Sequence, residues 1–319
     1  MAVKLFRGYD NLQDALKLLA SEPPNQVTNA LRIACDGTVP MEAATFTAYA
    51  WPWSEQGGNE ELRIWVAKVH YCSALQKEAQ LIWYLKDLED RAGAASDFGH
   101  FVAVSPPELW DEPGTFCAFP AFLNEARDEA LRGRGRLQVL YPIPVGGFVI
   151  PTASFPAVTA LQLSLPPGYS WGRLREADAE TVFQTWKHRA ATDLPITLFK
   201  IKYLPNVCIR TEAGELAAWE LFSPERTLNH LFVMPHHRRK GLGTLVEARL
   251  CQILVGLGLN PLKNVVVENV AALGLTSKLP FWVLRSPEHL LSSAFVPLMH
   301  QPPKPLTGDK LRVVSPLIA

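Results

Sequence analysis

Leu231-Phe232-Val233-Met234-Pro235-His236-His237-Arg238-Arg239-Lys240-Gly241-Leu242-Gly243-Thr244 is the stretch on which the fold turns, because in it an apolar strand runs directly into a basic turn with two glycines. Leu242, Val246, Leu250, Ile253, Leu254 and Leu257 then keep helical spacing, so a helix starts near Gly241 and buries one face. The first turn of such a helix carries N–H groups without intrahelical acceptors and the positive end of its dipole. Glycine there lets an anion approach the backbone with no Cβ in the way. Arg238, Arg239 and Lys240 add charge suited to a group with several negative oxygens, and an arginine can grip it as a fork. Taken alone, the residues support two readings, a phosphate cradle over Arg238–Thr244 or a solvated basic turn on an ordinary helix. A Walker loop would need Gly-Lys-Ser/Thr and a dinucleotide fingerprint three glycines, and neither is present.

The composition narrows what that turn can serve. A chain of 319 residues with 48% hydrophobic residues predicts two packed units. Basic and acidic residues balance at 31 each, which removes the broad positive field of a nucleic-acid binder and favours a small ligand. Cys35, Cys72, Cys117, Cys208 and Cys251 are scattered, with no Cys-x-x-Cys pair and no metal-ligand spacing, so they read as reduced thiols and no metal is expected. Met1–Tyr9 lacks a secretory apolar region, and no stretch is long and apolar enough for a membrane span. Lys4 and Arg7 are followed by the acids Asp10 and Asp14, so the cytoplasm is expected, with the mitochondrial matrix left open.

Outward from the turn, the periodicity predicts a helix at Leu12–Leu19, strands at 45–49 and 62–67 joined as a hairpin through 57–59, a helix over 75–91 and a strand at 100–104. Prolines 142, 144, 151, 156, 166 and 167 predict extended or irregular chain from 141 to 167. The expected division is therefore an N-terminal α+β domain over 1–150, a proline-rich linker over 151–167, a second domain over 168–300 and a tail over 301–319. In the second domain a strand at Tyr169 and a helix from Asp178 to Arg189 precede strands around 207–209, 216–222 and 228–233. The long helix and a strand at 265–267 follow.

The pattern Arg-x-x-Gly-x-Gly at Arg238–Gly243 resembles the acetyl-CoA loop of the GNAT superfamily. Val265-Val266-Val267-Glu268-Asn269, leading into Leu275, Lys278-Leu279 and Phe281, looks like that superfamily's next strand and helix. Leu174–Ala179 with Trp186, and Gly214–Trp219, look like the corresponding parts of the glycine N-acyltransferase-like family. The resemblance covers roughly residues 168–284 and implies an α+β GNAT fold, with the first half a second, degenerate GNAT-like unit. It also implies an N-acyltransferase that moves an acyl group from acyl-CoA to the amino group of a small amine or amino acid in a ternary complex. By that resemblance Val233, Met234, Arg238, Arg239, Lys240, Gly241, Leu242, Gly243, Thr244, Asn269 and Ser277 bind the cofactor.

The catalytic positions depart from the family pattern. The usual glutamate position falls on Thr227 and a histidine-bearing position on Asn229, neither of which is a base near neutral pH. His230 is the first candidate base, ahead of Glu225 and Glu220, although strand alternation sets it on the opposite face from Thr227 and Asn229 unless a bulge intervenes. The position of the tyrosine that protonates the leaving thiolate is Thr276, and Pro280 replaces a glycine. A catalytically silent CoA-binding or interaction module on the same scaffold is the competing reading.

Overall fold

The computed structural model describes residues 2–53, 62–71, 79–86, 88–186, 194–285 and 290–297. They gather into two compact units, one of Met1–Pro144 with the strand from the segment Glu288–Asp309, the other of Val145–Pro287.

In the first unit the elements are β1 (Ala2–Arg7), α1 (Tyr9–Leu18), α2 (Gln26–Cys35), β2 (Ala44–Trp53), β3 (Ile64–Tyr71), β4 (Ala79–Leu85), α3 (Arg91–Val104), β5 (Gly114–Pro120), α4 (Asn124–Gly133) and the start of β6 (Arg136–Val149). β1 to β4 pair antiparallel in sequence order, and β4 then pairs parallel with β5. The second unit carries α5 (Phe155–Thr159), β7 (Tyr169–Gly172), α6 (Ala179–Thr185), α7 (Leu194–Tyr203), β8 (Asn206–Thr211), β9 (Leu216–Phe222), β10 (Leu228–Val233), α8 (Leu242–Gly256), β11 (Leu262–Val266), α9 (Val270–Thr276) and β12 (Val283–Leu284). β7 to β10 again pair antiparallel in order, and β10 then pairs parallel with β11. β13 (Leu290–Pro297) lies antiparallel to β5, and the end of β6 lies antiparallel to β11. From β1 and from β7 the order strand, two helices, three strands, helix, strand, helix, strand is the same, so one plan is used twice.

Two expectations in the first unit are corrected. Within the stretch predicted as a helix over 75–91, Ala79–Leu85 is the strand β4, because Leu81, Ile82 and Trp83 are all buried in a sheet. The strand predicted at 100–104 is instead the end of helix α3, whose Phe98, Phe101 and Val102 pack at helical spacing into an aromatic core. There the Trp83 and Phe116 rings stack at 5.0 Å, with Phe119 edge-on to Trp83 at 5.4 Å. The prolines at 142 and 144 do not stop β6, and Pro156 opens the short helix α5, where its missing N–H is not needed. The expected hairpin turn at 57–59 and the tail over 301–319 lie outside the described residues.

Candidate functional site

β10 ends in one 3-10 turn, Pro235–His237, and three basic residues then lead to Gly241 and α8. Gly241 has φ +77°, the left-handed region that a side chain disfavours, and Arg239 shares it at φ +63°. No side chain caps α8, so its first-turn N–H groups remain for a ligand. A Cβ on Gly241 would have nothing within 4 Å, so the backbone here borders open space. Gly243 is glycine for another reason: a Cβ would meet Leu275 Cδ1 at 3.0 Å and Val233 Cγ2 at 3.5 Å, so its absence lets the helix start close to β10 and α9. Arg238 folds back, donating from Nε to the Val233 carbonyl at 3.1 Å with its guanidinium 5.6 Å from the Phe232 ring centroid. Lys240 donates to the Tyr169 hydroxyl at 2.8 Å.

Behind the loop the sheet opens. β10 and β11 pair at Leu228–Lys263, and among the described residues no further pair joins them. Backbone groups along the facing edges are thereby left for something other than a neighbouring strand. A cavity of about 550 Å³ occupies the divergence, lined by Asn229, His230, Val233, Arg238, Gly243 and Asn269 among others. Strand separation thus creates a slot that opens towards the exposed helix start.

The alternation expected of β10 fails at His230. This residue has φ +57°, and the register with β9 shifts between Asn229 and Phe232, a bulge that lets Asn229, His230 and Leu231 all line the cavity. The left-handed conformation is uncommon outside glycine, though more accessible to histidine than to branched residues. The imidazole lies 4.5 Å from the Trp186 ring, edge-on, with Nε2 3.2 Å from Thr185 Oγ1. Burial, reinforced by the Lys200 ammonium, holds its pKa well below the ordinary histidine value, so the ring is neutral near pH 7. Lys200 is itself buried, 3.9 Å from the Trp186 ring centroid and 3.4 Å from Asn229 Oδ1.

At the point where the strands meet lies a second set of charges. Lys263 bonds both Glu247 oxygens, at 2.7 and 2.8 Å, and Trp282 donates to Glu247 Oε1 at 2.8 Å. Glu220 borders the same cavity with Oε2 buried and unpartnered. Burial and the nearby Glu247 charge raise its pKa well above the usual carboxylate range, against the pull of Lys263. That shift favours its proton-bearing form.

The other sequence candidates are placed as follows. Thr227 is buried in the turn before β10, its hydroxyl 3.1 Å from Ser223 Oγ, and it is not part of the lining. Asn229 borders the cavity. Met234 packs against the core cluster that includes Trp219, while Arg239, Lys240, Gly241, Leu242 and Thr244 form the loop and the first turn of α8. Asn269 caps α9 by accepting from the Ala272 N–H at 3.1 Å. Ser277 is exposed and donates to the Gly274 carbonyl, whereas its neighbour Thr276 borders the cavity. Sequence reasoning passed over Lys200, Thr185 and the Glu247–Lys263 pair. A lysine interrupting the apolar run Leu198-Phe199-Lys200-Ile201 is a signal that could have found the first.

The matching junction in the first unit is built differently. Asp90 caps α3 by accepting from the Gly93 N–H at 3.0 Å, and a Cβ on Gly93 would lie 2.8 Å from Asp90 Cγ. The chain's own carboxylate thus occupies the helix start that Gly241 leaves open.

Residues 207–289 match the family model described as FR47-like protein. A solved Drosophila protein is similar over 93% of this chain and 99% of its own, with a TM-score of 0.66 at 16% identity. A tandem GNAT protein from the clavulanic acid biosynthesis pathway, without acetyl-CoA, aligns over 94% of this chain and 100% of its own, with a TM-score of 0.47 at 14% identity. For a GCN5-related N-acetyltransferase from Sphaerobacter thermophilus the coverages are 93% and 96%, with a TM-score of 0.44 at 9% identity. With one connectivity repeated and the strand, basic loop and helix in their places, the chain has the α+β GNAT fold in two tandem units.

Proposed function

We propose that the second unit is an acyl-CoA-dependent N-acyltransferase whose acceptor is a small amine or amino acid of the glycine type. The observation that carries this reading is the slot between β10 and β11, which leads from the uncapped start of α8 to His230 on its bulge. The pyrophosphate of CoA fits the backbone N–H groups of Arg239–Thr244, where open space at Gly241 and the helix dipole coincide. The thioester supplies an activated acyl carbon, and the acceptor's free amine attacks it. Its nitrogen forms the new amide bond as the carbon–sulfur bond breaks and the electron pair leaves with the thiolate.

The chain's own share is to hold the donor, shelter the carbonyl oxygen with backbone N–H groups at the end of β10, and take a proton from the attacking amine. His230 is neutral and borders the slot, so it can accept that proton directly or through water. Glu220 borders the same cavity, and the upward shift of its pKa favours the form that can give one. Thiol release with DTNB, from a panel of acyl-CoAs against amino acids and arylalkylamines, tests the proposal. Acetyl-CoA binding without thiol release above background on any pair defeats it.

One observation favours a second reading, a CoA-binding module without turnover. The lowered pKa that keeps His230 neutral also makes it a weak base, and Thr227 and Asn229 offer no replacement. Acetyl-CoA calorimetry together with the thiol assay separates the two, since both bind and only one releases thiol. Among the described residues no helix is long and apolar enough to cross a membrane.

A further inference from the structure

We propose that Glu215, His236 and His237 form a binding site for a divalent transition ion of the zinc class. The three side chains come from two separate segments: Glu215 leads into β9 from the Gly214 turn, and the histidines form the 3-10 turn after β10. Sequence spacing conceals the cluster, since Glu215 and His236 are 21 residues apart. Their donor atoms all lie within 4.8 Å of one another. Glu215 Oε1 is 2.7 Å from His236 Nε2 and 3.7 Å from His237 Nε2. Ligand bonds of about 2.0–2.1 Å at tetrahedral angles put donors roughly 3.3 Å apart, so small side-chain adjustments bring all three onto one ion.

An independent observation comes from His237. Its ring is 7% exposed, and Nε2 is buried with no hydrogen-bond partner, aimed at the Glu215 carboxylate across a gap too long for a hydrogen bond. Its other nitrogen, Nδ1, is fixed 2.9 Å from the Tyr169 hydroxyl, which also accepts from Lys240. A phenol oxygen has two lone pairs, so Nδ1–H and Lys240 can both donate to it. That tautomer turns the lone pair of Nε2 towards Glu215, the arrangement that metal-bound histidines take from an outer hydrogen bond. Two imidazoles and one carboxylate suit zinc in preference to the all-oxygen sets of calcium or magnesium, and a fourth position stays open on the exposed side. The bound ion would tie the β8–β9 turn to the segment entering the basic loop, whether or not that loop holds CoA.

The test uses the full chain after chelator treatment, with zinc chloride titrated against a chromophoric chelator and cobalt(II) chloride followed in the visible spectrum. The expected result is one zinc per chain and a cobalt d–d band without sulfur-to-cobalt charge transfer. Glu215→Gln and His236→Gln alter exposed side chains, so both should fold like the parent by circular dichroism while losing at least about tenfold in affinity. Tyr169→Phe keeps every ligand and removes the outer hydrogen bond, which predicts a loss of about 10–100-fold. Equal zinc affinity in the parent and in Glu215→Gln and His236→Gln overturns the proposal, as does a sulfur charge-transfer band, which would place the ion on cysteine.

Discussion

Gly241→Val separates two roles that the basic loop combines. Gly241 sits at φ +77° with nothing within 4 Å of a built Cβ, so the fold would suffer from backbone conformation alone and not from a clash. The left-handed region costs an L residue about 1–2 kcal/mol, and a β-branched side chain stands at the upper end. For a unit of this size that corresponds to a fall of about 3–6 °C in Tm. Binding should suffer far more, because the new isopropyl group fills the space through which an anion reaches the N–H groups at the start of α8. A loss of two to three decades in acetyl-CoA affinity is about 3–4 kcal/mol, well beyond the folding cost. Gly241→Ala carries nearly the same backbone penalty with a smaller intrusion, so the difference between the two variants measures the steric part. Calorimetry with acetyl-CoA and thermal melts on the same samples provide both numbers. If Gly241→Val melts lower but keeps the parent's Kd, the cradle is refuted and the loop is only a solvated cap.

Three further variants test the neighbouring residues. His230→Gln should lower turnover by about two to four decades with CoA affinity little changed. Because only the neutral ring accepts a proton and its pKa is depressed, the parent's rate should stay level above neutrality and fall only below the ordinary histidine range, where a fall centred at or above that range would exclude His230. The same depression fixes the sign for stability: as pH drops below the unfolded value, the unfolded chain binds a proton that the folded one refuses, so His230's contribution is whole above that value and declines in acid. Urea titrations of parent and His230→Gln across that window should converge as pH falls. Lys263→Met leaves Glu247 buried without its ion pair and should cost about 3–5 kcal/mol, whereas adding Glu247→Leu should recover most of it. A double-mutant cycle showing no recovery would mean that the pair is not coupled. Gly243→Ala places a methyl 3.0 Å from Leu275 Cδ1 and should destabilise the helix start, with Leu275→Ala restoring acetyl-CoA binding if that contact is the cause.

The loop and the helix behind it were legible because their signals are local. An apolar strand, a basic turn and two glycines lie within fourteen consecutive residues, and Val246, Leu250 and Leu254 repeat on the buried face of α8. β4 was misread because Leu75 to Arg91 has apolar residues that fit helical spacing as well as a buried strand, and only the neighbours β3 and β5 decide between them. The bulge at His230 could not be read either, since alternation assumes a regular strand and the φ of one residue moves its side chain to the other side. Glu220 and Lys263 are 43 apart in sequence, and the burial that raises the Glu220 pKa comes from helix and strand packing that no local pattern encodes.

Among the described residues, the repeated plan is finished differently at the matching junctions of the two units. Both units place a helix after their fourth strand, and such a helix start needs something to satisfy its N–H groups. In the first unit Asp90 does so from within the chain, and Trp83 and Phe116 stack where β4 and β5 lie side by side, joined at Ala79–Gly114, Gln80–Thr115 and Leu81–Phe116. In the second, a left-handed glycine replaces the capping acid, and the equivalent strands meet at one residue pair before they diverge. The same architecture therefore closes one junction with a carboxylate and aromatic packing and leaves the other with donors facing open space. Asp90→Gly would remove the carboxylate without parting β4 from β5, so it should lower stability by only about 0.3 kcal/mol and create no second acetyl-CoA site. Two equivalents of acetyl-CoA bound by Asp90→Gly would show that the cap, and not the closed strand pair, keeps the first unit empty.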